Sequence, residues 1–265
     1  MEAIFRLAKE TARKAGRLLM EHFGPLQMVD HKGEVDLVTD VDRRSERMIV
    51  EAIRSHRPDD PILAEEEASR EGNGPLRWIV DPLDGTTNYA HGYPCFCVSI
   101  AVEKESEIVL GAIYNPILDE MFAASKGGGA TLNGMKLNIS RTERLTDSLL
   151  ATGFPYDIRR SRVNNLDHFA NFALRAQAIR RAGSAALDLC YVAAGRFDGF
   201  WEMKLAPWDV AAGSLMVREA GGLVTDFTGG PFRIDGGEIL ASNGRIHNQM
   251  MEALRQDGQQ LRPRR

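Results

Sequence analysis

Residues 81–92 read DPLDGTTNYAHG and follow the short apolar run Trp78-Ile79-Val80. Two carboxylates three positions apart, a glycine and two threonines stand together at the end of an expected strand. A single acid at such a place is explained by capping, because acids accept hydrogen bonds from the unpaired amides at helix N-termini. Capping does not explain Asp81 and Asp84 flanking Pro82. Proline keeps Asp81 out of the helical region and fixes the turn between the two acids. Such a turn directs both carboxylates and the Leu83 carbonyl to one side. Hard oxygen ligands without histidine or cysteine select Mg²⁺ or Mn²⁺ over zinc. Gly85 has no Cβ, so a tetrahedral anion is able to approach the Gly85 and Thr86 amides. Acids that hold a divalent ion beside an anion-binding turn point to phosphate chemistry.

Three further acidic clusters lie where one expected element meets the next: Asp36-Leu-Val-Thr39-Asp40-Val-Asp42, Glu65-Glu66-Glu67 and Pro207-Trp208-Asp209. Asp209 is placed to cap a helix that Gly221-Gly222 ends. Brought together, so many carboxylates repel one another, and a bound divalent ion answers that repulsion.

The rest of the chain sets the frame. Its 265 residues are 43% hydrophobic, enough for a substantial core. Lys and Arg number 33 against 37 Asp and Glu, and the only dense basic run is the terminal Arg262-Pro263-Arg264-Arg265, so nucleic acid is not an expected ligand. Three cysteines, Cys95, Cys97 and Cys190, make no disulfide framework. The histidines show no zinc-binding spacing. The N-terminal MEAIFRLAKETARKAG is charged and amphipathic, unlike a secretory signal, and a cytoplasmic protein without a membrane span is the expectation.

Periodicity predicts a helix over 2–23, an extended VDLVTDVD, a helix ending near Arg57-Pro58, and two strands around an acidic loop. From Phe96 the period changes to two, and CFCVSIAVEKESEIVLGAIYNP predicts an antiparallel hairpin that the Asn133-Gly134 turn extends into a meander. Near 145 strands begin to alternate with helices, predicted at about 164–176, 185–194, 209–220 and from 245. No linker or repeat interrupts the chain. The pattern divides it into 1–145, an α+β part with most of the acids, and 146–265, an α/β part, within one compact unit.

The spacing of the acids separates two phosphatase families. The haloacid-dehalogenase type carries DxDGT, with acids two apart on an early strand. Here they are three apart and a helix pair precedes them. DPLDGTTNY together with WDVAAGSLMVREAGG resembles the two signatures of the inositol monophosphatase family, in order and along essentially the whole chain. The resemblance implies an α/β (α+β) fold, a layered α-β-α-β-α sandwich of an antiparallel N-terminal sheet and a smaller mixed C-terminal sheet.

It also implies residue roles. Glu65, Asp81, Asp84, Asp209 and the Leu83 carbonyl would bind two to three Mg²⁺ ions, with Mn²⁺ as a substitute. Glu66, one residue on, is the alternative to Glu65, and Lys32 roughly matches a family lysine near the third metal. Gly85 and Thr86 would hold the phosphate. Thr86, paired to Asp42, would orient a metal-activated water, with Glu65 in the catalytic group. Gly183, Ser184, Ala185 and Glu202, with Asp84 and Asp209, would face the substrate's hydroxyls. The activity implied is hydrolysis of inositol 1-phosphate by a lithium-sensitive, Mg²⁺-dependent homodimer. Fructose-1,6-bisphosphatase and bisphosphate nucleotidase are alternatives on the same fold. So is a regulatory role with the transcription machinery, for which Arg159-Arg160-Ser161-Arg162 and Arg180-Arg181 offer contacts.

Overall fold

The computed structural model describes residues 1–24, 29–31, 37–66 and 69–255. The apolar spacing of the first residues forms helix α1 (Glu2–His22), which buries Ala8, Ala12, Ala15 and Leu19. A two-stranded ribbon, β1 (Val29–His31) and β2 (Leu37–Thr39), leads into α2 (Asp40–His56). That helix begins inside the segment expected to be extended, so Asp42 lies in its first turn. Strands β3 (Ile62–Ala64) and β4 (Arg77–Asp84) follow, then the five-residue helix α3 (Thr86–Ala90). The predicted hairpin is β5 (Cys97–Lys104) and β6 (Glu107–Asn115). It continues as β7 (Glu120–Ser125), β8 (Gly129–Leu132) and β9 (Met135–Lys136).

These strands form a seven-stranded sheet in the order β3-β4-β5-β6-β7-β8-β9. All its pairings are antiparallel except one: β3 runs parallel to β4, with Ala64 opposite Val80. The expected N-terminal sheet is therefore mixed at its edge. The segment between β3 and β4 is long enough for the crossover that a parallel pair needs.

The second half alternates as its pattern predicts. Its elements are β10 (Leu149–Thr152), α4 (Leu166–Ala173), β11 (Ala178–Arg180), α5 (Ala185–Ala193), β12 (Gly199–Met203), α6 (Pro207–Glu219), β13 (Leu223–Thr225), β14 (Glu238–Ser242) and α7 (His247–Arg255). The strands make a mixed five-stranded sheet, order β11-β10-β12-β14-β13, parallel through β10 and antiparallel at β14. Helix α6 starts two residues before the expected Asp209 because Pro207 takes its first turn, where a missing N–H costs nothing.

The layers follow from which faces are apolar. Helices α1 and α2 cover one face of the large sheet around Trp78, Val80 and Ile100. Helices α5 and α6 fill the space between the sheets around Ile79, Phe122, Leu189 and Met216. The outer face of the small sheet is closed by α4 and α7, with Trp201 and Phe172 stacked at 4.0 Å. The result is the α-β-α-β-α sandwich. Helix α6 lies close on β6 because Gly111 has no side chain: a Cβ there would stand 3.1 Å from the Ala212 carbonyl. Among the described residues no helix is long and apolar enough to cross a membrane.

Candidate active site

Asp81 and Asp84 stand at the end of β4, inside the strand and not beyond it. In a regular strand, residues three apart point to opposite faces. Here Asp81 pairs with Ser99 and Asp84 with Cys97, so β4 advances three residues while β5 advances two. This β-bulge adds one residue and returns Asp84 to the face of Asp81, toward α5 and α6. Pro82 is tolerated because a bulge takes it out of the ladder. Its carbonyl accepts a hydrogen bond from Ser45 Oγ of α2 at 3.1 Å. The Leu83 N–H donates to Asp81 Oδ1 at 2.9 Å, which fixes that carboxylate's rotation.

The parallel pairing of β3 explains Glu65. With Ala64 opposite Val80, the next residue falls beside Asp81, and strand alternation sends it to the same face. Its charge is the largest of the acidic influences that raise Asp81, after burial. The backbone N–H of Glu66, the alternative to Glu65, donates to Glu46 Oε2 of α2 at 2.7 Å. Asp209 reaches the site from α6, where it stands in the first turn and accepts from the Ala206 N–H at 2.7 Å. One oxygen from each of Asp81, Asp84 and Asp209 forms a group lying within 4.8 Å of one another.

Gly85 follows at φ +98°, and a Cβ there would come within 2.8 Å of the Cys95 carbonyl, so only glycine fits. Thr86 then opens α3, whose dipole adds little at five residues. The Thr86 hydroxyl stands 3.0 Å from the Leu83 carbonyl and 3.4 Å from Asp42 Oδ2, and donates to one at a time. Asp42 is fully buried beneath it. Asp40, in the same cluster, is exposed; Lys32, Asp36 and Glu67 lie outside the described residues.

Electrostatics distinguish this cluster from a set of caps. Burial, then the charges of Glu65, Asp84, Asp209 and Asp42, push the Asp81 carboxyl well above its ordinary range. Burial and Asp84 raise Asp209 to about 7 against the Ala206 hydrogen bond. Asp84 is also raised by burial, but hydrogen bonds from Ser184 Oγ at 2.6 Å and the Ala186 N–H at 2.8 Å oppose it. Positive charge placed among these acids favours their ionised forms and relieves the repulsion.

The second half closes the cleft. Ser184 caps α5 while donating to Asp84, so it joins the two halves of the chain. Gly183, at φ +86°, faces Asn88, whose Nδ2 donates to the carbonyls of Cys95 at 2.7 Å and Ala182 at 2.8 Å. Ala185 follows in the first turn of α5 and lines the cleft. Glu202 is buried at the end of β12, and burial, Asp209 and Asp84 raise it to about 8. Its carboxylate occupies the space that a Gly153 side chain would fill, with Oε1 2.1 Å from that Cβ position.

Three cleft residues escape the sequence reading. Arg181, expected as a surface contact, lines the cleft and lowers Glu202 and Asp188 by its charge. Lys204 stands at the rim, held by Asp157 at 2.7 Å. Asp188 lies on the buried face of α5, where it is the one charge in AALDLCYVA, the only sequence signal that sets it apart.

The model of a family described as the inositol monophosphatase family matches residues 1–259. A protein from Mesorhizobium japonicum named inositol-1-monophosphatase is 44% identical over 256 residues, 96% of this chain and 96% of that protein. One from Pseudomonas aeruginosa named Nus factor SuhB is 43% identical over 263 residues, 96% of each. The solved structure of an inositol monophosphatase from Anabaena superposes with a TM-score of 0.88 at 43% identity, over 97% of this chain and 96% of that one.

Proposed function

The chain belongs to the inositol monophosphatase family and is a phosphatase; from that membership we propose that it hydrolyses inositol 1-phosphate with Mg²⁺. The observation that carries the proposal is the group of Asp81, Asp84 and Asp209 within 4.8 Å, all oxygen donors. Such a donor set fits Mg²⁺, or Mn²⁺, and not a zinc site of sulfur and nitrogen. Asp81, Asp84, Asp209, Glu65 and the Leu83 carbonyl would hold two to three ions. Bound there, the ions supply charge neutralisation to the phosphate oxygens and acidify a water.

The chain's own residues do the rest. The Gly85 and Thr86 amides seat the phosphate where only glycine permits the approach. The Thr86 hydroxyl, with Asp42 beneath it, orients the attacking water in line with phosphorus. Ser184 and the Ala186 amide hold Asp84 so that its other oxygen faces the cluster. Glu202, Gly183, Ser184, Ala185 and Asp209 surround the leaving group's hydroxyls. Alignment and charge neutralisation suffice for phosphoryl transfer without a protein nucleophile. In keeping with the family resemblance we also propose a lithium-sensitive homodimer, and from the sparse, unpaired cysteines a cytoplasmic location.

The test is a substrate panel in Mg²⁺, with and without lithium: inositol 1-phosphate, fructose 1,6-bisphosphate and adenosine 3′,5′-bisphosphate. Highest kcat/KM on inositol 1-phosphate is expected, and preference for either bisphosphate overturns the assignment. The relative named Nus factor SuhB favours a second, regulatory role. Protein partners retained by Asp81→Asn in a pull-down would support it.

A further inference from the structure

Asp188 is the buried charge that the reaction above leaves unused. It is 1% exposed, it lines the cleft, and among the described residues its Oδ1 has no hydrogen-bond partner. A buried carboxyl oxygen left this way carries its full desolvation penalty. The rest of α5 is apolar, from Ala185 through Ala193, so an alanine or leucine would fill the position without that penalty. The groups around it are Glu202, Asp84 and Arg181. Glu202 lines the same cleft, is 8% exposed, and its carboxylate stands in the space that Gly153 leaves for it. The structure thus presents two carboxyl groups in one cleft, the Asp188 one with an unpartnered oxygen, and a guanidinium in the same lining.

Resting on the phosphatase reading above, we propose that Asp188 is a specificity-determining residue that binds, together with Glu202, the hydroxyl groups of a polyhydroxylated leaving group. A hydroxyl both donates and accepts, so it satisfies a carboxyl in either protonation state. A flat aromatic leaving group offers no such partner and leaves Asp188 unmet. A site built to hydrogen-bond hydroxyls discriminates against analogues that lack them, because its buried polar groups are then unpaired. Arg181 balances the local negative charge.

The test compares wild type, Asp188→Asn and Asp188→Ala on two monoesters, inositol 1-phosphate and phenyl phosphate. Binding is measured by calorimetry with Ca²⁺, which accepts the same oxygen ligands in looser geometry. Hydrolysis is measured with Mg²⁺. Asp188→Ala should bind inositol 1-phosphate about tenfold more weakly and raise its KM about tenfold, the loss of one charged hydrogen bond. Phenyl phosphate should stay within about twofold in both assays, and Asp188→Asn should fall between. The alanine variant should melt no lower than wild type, because a buried carboxyl has gone. Equal loss on both esters, or no loss on either, overturns the proposal. So does a wild type that binds inositol 1-phosphate no better than phenyl phosphate. A wild type that binds inositol 1-phosphate selectively without hydrolysing it refutes the proposed activity and leaves this assignment standing.

Discussion

Gly85 shows how single residues decide this site. Its φ of +98° and the Cys95 carbonyl 2.8 Å from a would-be Cβ both exclude any side chain. Gly85→Ala should lower stability by about 1–3 kcal/mol, the cost of a strained backbone. It should reduce activity further by displacing the phosphate seat. A melt and a kcat/KM measurement check this; wild-type values in both would contradict it. The spacing of Asp81, Pro82 and Asp84 was legible because proline and paired acids each have few structural uses. Asp188 and Arg181 were not, since one charge in a helix or an arginine pair is normally solvated, and only the fold shows which face is buried. Nor did local pattern show that Glu65 stands beside Asp81, which is a consequence of register.

At the scale of elements, two devices build the site: the bulge in β4 and the close seating of α6. The sequence predicts a turn where the bulge stands because the apolar run stops at Val80, and the pairing that extends the strand to Asp84 is with β5, whose Cys97 lies beyond the intervening α3. The parallel β3 was missed because three residues carry too little pattern to give direction. Helix α6 was legible from its spacing, but its depth against β6 depends on Gly111. Gly111→Val places branched carbons against the Ala212 carbonyl and should cost about 1–3 kcal/mol by overpacking. Because α6 carries Asp209, kcat should fall with stability. Thermal unfolding and initial rates test this, and a destabilised variant with full kcat per folded molecule would separate Asp209 from the seating of its helix.

For the whole molecule, the assembled acids make folding depend on pH and on divalent ions. In metal-free protein Asp209 rises from 3.8 to about 7 and Glu202 from 4.5 to about 8. Between those values the folded chain holds more protons than the unfolded one, so stability is greatest at low pH and falls as pH rises toward 8. The partly buried His168 and the buried His247, both lowered by desolvation, act the opposite way near and below 6.5. The difference between melts in Mg²⁺ and in EDTA removes their contribution. That difference should grow from pH 5 to pH 8, reaching about 2.7 kcal/mol when Mg²⁺ is a hundredfold above its Kd. A difference that shrinks with pH would contradict a site made of these carboxylates.

The claim on which the rest depends is that Asp81, Asp84 and Asp209 act as one divalent-metal centre for phosphate release. Its most direct test is inorganic phosphate released from inositol 1-phosphate by wild type and by folded Asp81→Asn as Mg²⁺ is titrated. Wild type should show no activity in EDTA and saturable activation by Mg²⁺, while the variant stays near background at every concentration. Full release by Asp81→Asn, or by wild type in excess EDTA, would contradict the account.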